Sequence, residues 1–335
     1  MKQMRYPSIS IVTVSYNTSL SIWRRTLQAL HDQDYPTSKI EHIIMDAGST
    51  NGSLELLRRQ NAKVFVEKTL LDNPLKRMKM ALSKAKNEII LFLEPDNIMI
   101  GKHWLRQMVL PFLNNKKVVG TFSMHNAYDP SMPAFTKYCS LFGINDPVVY
   151  YLNKSEKLPL FETTYKKGIL INRNKEYTTV SFDKRSLPTL GDNGHMVRRK
   201  ILNKVIGKSP NFLHTDAFMK LLELGHNTYG VVHNSIIHYT GSNILSFFLR
   251  RIEYKKRDFD GAQHKRAYLV YDSRSGEDKK NLVLYVIYSL TFIQPLYLSV
   301  KGYLTVQDPA WFLHPIICFL GLIAYGYSEI RNYCL

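Results

Sequence analysis

The sequence predicts an α/β fold: a mainly parallel sheet with flanking helices, followed by a hydrophobic helical C-terminus. Three observations carry this expectation. Short β-branched or apolar runs alternate with amphipathic helical stretches through the first third of the chain. Polar residues follow three of those runs, at Asn17, Asp46 and Asp96. Two long uncharged stretches, Asn281 to Val300 and Pro309 to Ser328, lie near the C-terminus.

The elements follow in order. Ile9 to Asn17 alternates and is β-branched, so it reads as a strand. Ser19 or Ser21 can cap a helix through Trp23, Leu27 and Leu30, and Tyr35-Pro36 ends the connection. Glu41 to Asp46 is a second strand, stopped by the glycine-bearing loop Ala47 to Ser53. Leu54 to Arg59 reads as helix, Lys63 to Glu67 as a short strand, and Pro74 to Lys86 as helix. Ile89 to Leu93 is continuously apolar, the pattern of a strand buried on both faces. Lys102 to Leu113 predicts a helix and Val118 to Met124 a strand. Asn126 to Leu187 lacks a clean period and reads as an irregular insertion with short strands such as Ile169 to Ile171. Phe212 to Asp216 opens a helix that Gly225 ends; Thr228 to Val232 and Ser235 to Tyr239 read as two short strands. Ile244 to Asp258 is basic and amphipathic, which suits an interfacial helix.

Alternating strand and helix with short connections gives right-handed crossovers and a parallel sheet. In such sheets ligands bind beyond the carboxyl ends of the strands. Asn17, Asp46 and Asp96 all sit at such ends and aim polar groups at one crevice. Glu94-Pro95-Asp96 closes a buried strand with two carboxylates, a hard oxygen site suited to a divalent cation and, through it, a diphosphate.

Of 335 residues, 45% are hydrophobic, enough for a sizeable core. The net charge of +18 implies anionic partners: nucleic acid, an anionic membrane face or phosphorylated substrates. No groove-reading or RNA-recognition motif accompanies the charge, so nucleic acid is not expected as a partner. Cys139, Cys318 and Cys334 show no metal or redox spacing, and their odd number fits a reducing compartment. The N-terminus carries no signal-peptide pattern. The uncharged C-terminal stretches predict two transmembrane or interfacial helices, with a buried helical hairpin as the other reading. Positive charge before them places the N-terminal part on the cytoplasmic face of the cell membrane.

With these residues in view, Ser8 to Tyr239 resembles the family 2 glycosyltransferases, an inverting family of GT-A fold. The resemblance rests on five stretches in order: Val14 to Asn17, Met45 to Ser53, Leu91 to Asn97, Gly191 to Arg199 and Phe212 to Asp216; His238 follows them. It implies that Tyr16 and Asp46 hold the nucleotide base, that Arg77 lies near base and diphosphate, and that Glu94 contacts ribose or metal-bound water. It further implies Asp96 as ligand to Mn²⁺ or Mg²⁺, His238 as a second ligand and Asp216 as general base. Gly191, Asn193 and Gly194 would lie under the acceptor. Arg250 and Arg251, on the basic helix, can grip a lipid phosphate.

The chain departs from the family pattern at Glu94, where an aspartate is usual, and at Thr215, where many members carry glutamate. The motif of processive members is not found. The expected architecture is a catalytic domain over 1–243, a basic juxtamembrane segment over 244–280 and membrane helices over 281–335. The expected activity is transfer from a nucleotide-sugar, a UDP-sugar, to a lipid-linked or glycolipid acceptor. The alternatives are a sugar nucleotidyltransferase, which predicts a glycine- and lysine-bearing phosphate loop near the N-terminus, and an inactive scaffold of the same fold.

Overall fold

The computed structural model describes residues 5–207, 210–241, 243–254 and 266–334. Two compact units are formed, one from residues 1–124 and 165–238, the other from 125–164 and 239–335.

The first unit is built on one mixed sheet. Strands β1 (Ile9–Ser15), β2 (Ile40–Asp46), β3 (Lys63–Val66) and β4 (Ile89–Leu93) form its parallel half in the order β3-β2-β1-β4. Helices α1 (Leu20–His31), α2 (Ser53–Arg58) and α3 (Pro74–Lys84) make the connections. Asn73 caps α3, accepting from Lys76 N–H at 2.9 Å, and Pro74 occupies the first turn. Ser19 stands at the N-cap of α1 but makes no side-chain cap bond.

Beyond β4 the sheet turns antiparallel. After β5 (Asn97–Met99) come α4 (Trp104–Asn114) and β6 (Gly120–Asn126). In the second unit α5 (Ala134–Phe142) and α6 (Pro147–Tyr151) follow; the chain returns to the first with β7 (Ile169–Arg173), β8 (Tyr177–Ser181) and β9 (Asn193–Arg198). Helices α7 (Arg199–Leu202) and α8 (His214–Glu223) precede β10 (Thr228–His238). The antiparallel half continues β4-β9-β6-β10-β8-β7, with β5 paired to β10.

The core explains the alternation. Ile89, Leu91 and Leu93 point to the face where Trp104, Leu105, Met108 and Val109 of α4 are buried. Leu91 is fully buried, so Leu91→Ala removes about 2–5 kcal/mol of stability. Phe92 points the other way and stacks on Phe212 at 5.6 Å. Tertiary packing sets one feature that differs from the sequence expectation. Thr228 to His238 is one continuous strand, not two, and His233 within it is held by Thr178 Oγ1 at 2.8 Å. Arg198 donates to the carbonyls of Val118 and Phe112, and Arg199 to that of Asn87.

In the second unit, residues 125–164, the first part of the stretch read as an irregular insertion, carry α5 and α6. Phe135, Tyr138 and Phe142 of α5 pack with Phe247, Trp311 and Ile317, from the C-terminal part of the sequence. That part comprises α9 (Ile244–Tyr254), α10 (Gly276–Thr291), α11 (Ile293–Tyr303) and α12 (Leu313–Cys334). Lys255, Lys256 and Arg257 of the expected basic helix lie outside the described residues. The uncharged stretch 281–300 is broken: Phe292 adopts a left-handed φ of 61°, and α10 and α11 bend by 81°. By length and composition α12 can cross a membrane, though 39% of its apolar window is buried within the protein. His314 is buried and hydrogen-bonded to Tyr138 at 2.9 Å and Tyr151 at 3.2 Å.

Candidate active site

The carboxyl ends of β1, β2 and β4 carry the site, as parallel-sheet topology requires. Asp46 ends β2 and is fully buried. One of its oxygens accepts from Gly48 N–H at 2.8 Å and Ser49 N–H at 2.6 Å, the other from the Ser49 hydroxyl at 2.7 Å. A carboxylate offers about four acceptor positions, so a fourth donor fits. Gly48 has φ +90°, the left-handed region that this tight turn demands of it. Asn17, at the end of β1, has φ +46° and clasps the same loop: its N–H donates to Ser49 Oγ and its side chain accepts from Thr50 N–H, both at 2.8 Å. Tyr16 beside it is exposed, a ring offered to solvent in the manner of a stacking platform.

Arg77 projects from α3 under this loop. It is 5% exposed and donates to the Ser15 carbonyl at 2.6 Å, while its Nε has no partner. Burial lowers its pKa, and the charges of Glu94 and Asp46 oppose that shift. Arg77 is therefore a buried cation set between the two strand ends.

The β4 end is assembled differently. The turn Glu94 to Asn97 is closed by Asn97 N–H to the Glu94 carbonyl at 3.0 Å. β5 then leads away and pairs antiparallel with β10, with Asn97 opposite His238. That register delivers His238 to Asp96: Nε2 and Oδ2 lie 3.8 Å apart. Asn97 Nδ2 donates to the other Asp96 oxygen at 2.9 Å. From the far side β9 pairs with β4, with Asn193 opposite Leu93 and a bulge next to it. The residue before Asn193, Asp192, is thereby brought beyond the end of β4. Gly194 makes this approach possible: its φ is +76°, and a Cβ there would stand 2.6 Å from Ile236.

Electrostatics mark the result. Burial raises the Glu94 carboxyl well above the usual carboxylate range, and the charges of Asp192 and Asp96 raise it further. Burial likewise raises Asp96; His238 opposes this and Asp192 adds to it. Glu94 Oε1 is buried with no hydrogen-bond partner. Asp192 escaped the sequence reading, which took Gly191, Asn193 and Gly194 from the same loop. Its signal is the antiparallel β4–β9 register, which periodicity does not reveal.

Asp216 lies in the first turn of α8 and is buried. It is not the N-cap, a position held by Leu213. The entry to α8 is fixed on β4: His214 packs edge-on to Phe92 at 4.6 Å. Phe92 stands one residue before the end of β4, so α8 starts against the strand end that leads into Glu94. His195 of β9 stacks on Phe218 at 4.3 Å and ties the same helix to the sheet. Gly191 precedes Asp192 in the loop, and Asn193 begins β9 next to it. Arg250 and Arg251 belong to the second unit: Arg250 is exposed, and Arg251 donates to Asn145 Oδ1 at 3.1 Å and lies over Phe247.

The donor set suits a hard divalent cation. Among the described residues no three His, Cys, Asp or Glu side chains form a metal cage. The Asp96–His238 separation of 3.8 Å exceeds a hydrogen bond and lies within the ~4.2 Å that two ligands about 2.1 Å from a shared ion can span. Magnesium-type sites take one or two protein ligands and complete their shell with phosphate oxygens and water.

Comparison with known proteins decides the family. The sequence model described as Glycosyl transferase family 2 matches residues 10–206. The chain belongs to this family. The matched span includes Tyr16, Asp46, Arg77, Glu94, Asp96 and the 191–194 loop, and ends before Asp216 and His238. Poly(ribitol-phosphate) beta-N-acetylglucosaminyltransferase TarS of Staphylococcus aureus is 26% identical over 172 residues, 50% of this chain and 29% of that protein. The chain thus matches less than a third of the length of these curated relatives. The mannosyltransferase PcManGT from Pyrobaculum calidifontis, solved with GDP-Man and Mn²⁺, superposes with a TM-score of 0.54 at 13% identity, covering 97% of this chain and 88% of that one. A crystal structure of S. aureus TarS 1-349 gives 0.46 at 16% identity, covering 97% and 89%. The fold of this family 2 chain is GT-A.

Proposed function

We propose that this family 2 chain transfers a sugar from a nucleotide-sugar, a UDP-sugar, to a hydroxyl of a lipid-linked or glycolipid saccharide, with inversion at the anomeric carbon. One observation carries the proposal: past the ends of neighbouring parallel strands stand Asp46 with Tyr16 and, after β4, Asp96 beside His238, with buried Arg77 between the strand ends. That order of groups suits a nucleoside diphosphate, base at one end and diphosphate at the other. The matched relative and the superposed neighbour are named as glycosyltransferases, and the neighbour holds GDP-Man and Mn²⁺.

The reaction is a single displacement. The acceptor oxygen forms a bond to the anomeric carbon as the bond from that carbon to the diphosphate oxygen breaks. The electron pair leaves on the nucleoside diphosphate, and the acceptor proton passes to the Asp216 carboxylate. Asp96 and His238 would hold Mn²⁺ or Mg²⁺, which offsets the charge growing on the leaving diphosphate. Arg77 adds a fixed positive charge near the same oxygens. Asp46 accepts from a uracil N–H, and Tyr16 stacks on the ring. Asp192 tunes the charge of the cation site, and the Gly191 to Gly194 loop borders the acceptor. The basic residues Arg250 and Arg251 bind acidic headgroups or the lipid phosphate, and the hydrophobic C-terminal unit keeps the enzyme on the cytoplasmic face of the membrane.

A donor screen on detergent-solubilised protein tests this. Nucleoside diphosphate release is scored for UDP- and GDP-sugars, with Mn²⁺ and with chelator. Release from a UDP-sugar that chelator abolishes is expected. Pyrophosphate release from UTP and a sugar 1-phosphate, with no diphosphate release from any nucleotide-sugar, would replace the reading with nucleotidyl transfer.

A further inference from the structure

We infer that the C-terminal unit docks face-on to an anionic lipid surface, held in the interface by α10, α11 and α12 without crossing the bilayer. The inference concerns how the unit meets lipid and not the transfer reaction, so its test can fail independently of the proposed activity.

The helices have two apolar sides. On α11 the inner side, Pro295, Leu298, Ser299 and Gly302, is buried. Gly302 lies so close to Trp311 that a Cβ would stand 2.3 Å from its ring. The outer side is also apolar: Ile293 is 74% exposed and Leu304 79%, with Leu296 and Val300 between them. Their spacing of three, four and four residues puts them on one helical face. On α10, Val283, Ile287 and Leu290 form a second exposed stripe while Tyr285 and Ser289 are buried. On α12, Ile316, Ile323 and Ile330 are exposed while Ile317, Cys318 and Ala324 face the core. An exposed apolar surface of this extent on a packed unit marks an interaction site.

Geometry argues against a span by α10 and α11. At 1.5 Å per residue they reach about 24 Å and 17 Å, short of the ~30 Å hydrocarbon core. Their 81° bend prevents them from adding their lengths along one axis. α12 is long enough, but its inner side is committed to the protein through His314 and the core residues above. Such a helix shows lipid one face only.

Charge selects the occupant. Lys279 and Lys280 on α10 and Lys301 on α11 are exposed on helices that bear the stripes, Arg250 is exposed on α9 of the same unit, and the chain carries +18 overall. Tyr297 and Tyr327 add exposed phenol rings, the amphipathic side chains of a headgroup layer. Apolar stripes with cations on the same helices match phospholipid of negative charge. They match a second copy of the same basic surface poorly.

The test uses the full chain, freed of detergent, with vesicles of phosphatidylcholine alone or mixed with phosphatidylglycerol. Sedimentation is expected to show at least about tenfold tighter binding to the mixed vesicles. Leu296→Glu with Leu304→Glu is expected to weaken binding by at least about tenfold, while chelator-sensitive diphosphate release is retained. A protease site placed between Leu304 and Asp308, and a tag after Leu335, should both be cut from outside the vesicles. Protection of either site, or equal binding to both vesicle types, overturns the inference. So does a lipid-free dimer that the double variant dissociates.

Discussion

The two ends of the cleft are built by opposite means. At the β2 end, both Asp46 oxygens have donors within four residues of sequence, and Asn17 closes the loop from the neighbouring strand. At the β4 end, Glu94, Asp96 and Asp192 crowd one another, and two of them titrate above their ordinary range. The first end is organised by folding alone, because each charge-assisted bond also stabilises the turn. The second holds like charges whose mutual repulsion a divalent cation would offset. In this account the base end supplies geometry and the β4 end supplies charge, at some cost to stability.

Four substitutions break or sharpen this comparison. Asp216→Asn lies at neither end and removes the proton acceptor; kcat should fall by about 10²–10⁴, with donor KM little changed in steady-state assays. A fall in donor affinity instead would assign Asp216 to the cleft itself. Asp96→Asn should weaken Mn²⁺ binding at least about 100-fold, taking a ligand loss as no smaller than loss of its supporting shell. Titration followed by Mn²⁺ electron spin resonance reads this directly. Asp46→Asn keeps the shape and loses the charge. It should cost about 1.5–3 kcal/mol, seen as a lower melting temperature with Mn²⁺ affinity unchanged.

Glu94→Gln has the smallest effect and the opposite sign. The folded chain holds the Glu94 proton more tightly than the unfolded chain does. Stability is therefore full below the ordinary glutamate value of 4.5 and declines as pH rises from there toward the folded value. Glutamine removes that decline. In the presence of chelator the variant should melt roughly 2–4 °C above the parent at neutral pH, and the gap should close toward acid pH. A gap that widens on acidification would show that Glu94 is held ionised, and would bring the two ends of the cleft closer in kind.

The parallel half of the sheet was legible because its signals are local. Alternation marks β1, a continuous apolar run marks β4, and Asp46 with Gly48 marks the turn that ends β2. Asp96 and His238 were legible as members of a pattern, and the β5–β10 register brings them together. What escaped the sequence depends on distant partners. The helices α5 and α6 owe their apolar faces to residues more than a hundred positions away. Asp192 reaches the site through an antiparallel pairing that no period encodes. The break at Phe292 was written only as Pro295, which suits the first turn of a new helix as well as a kink in an old one.

The central claim is that the β4 end binds diphosphate through a cation while the β2 end binds the base without one. Calorimetric titration of UDP tests it most directly, using the parent chain and Asp96→Asn with Mn²⁺ and with chelator. The account predicts that Mn²⁺ tightens UDP binding to the parent by at least about tenfold and leaves Asp96→Asn at the parent's chelator value. UDP affinity that ignores Mn²⁺ in the parent, or that Mn²⁺ raises equally in both, would contradict it.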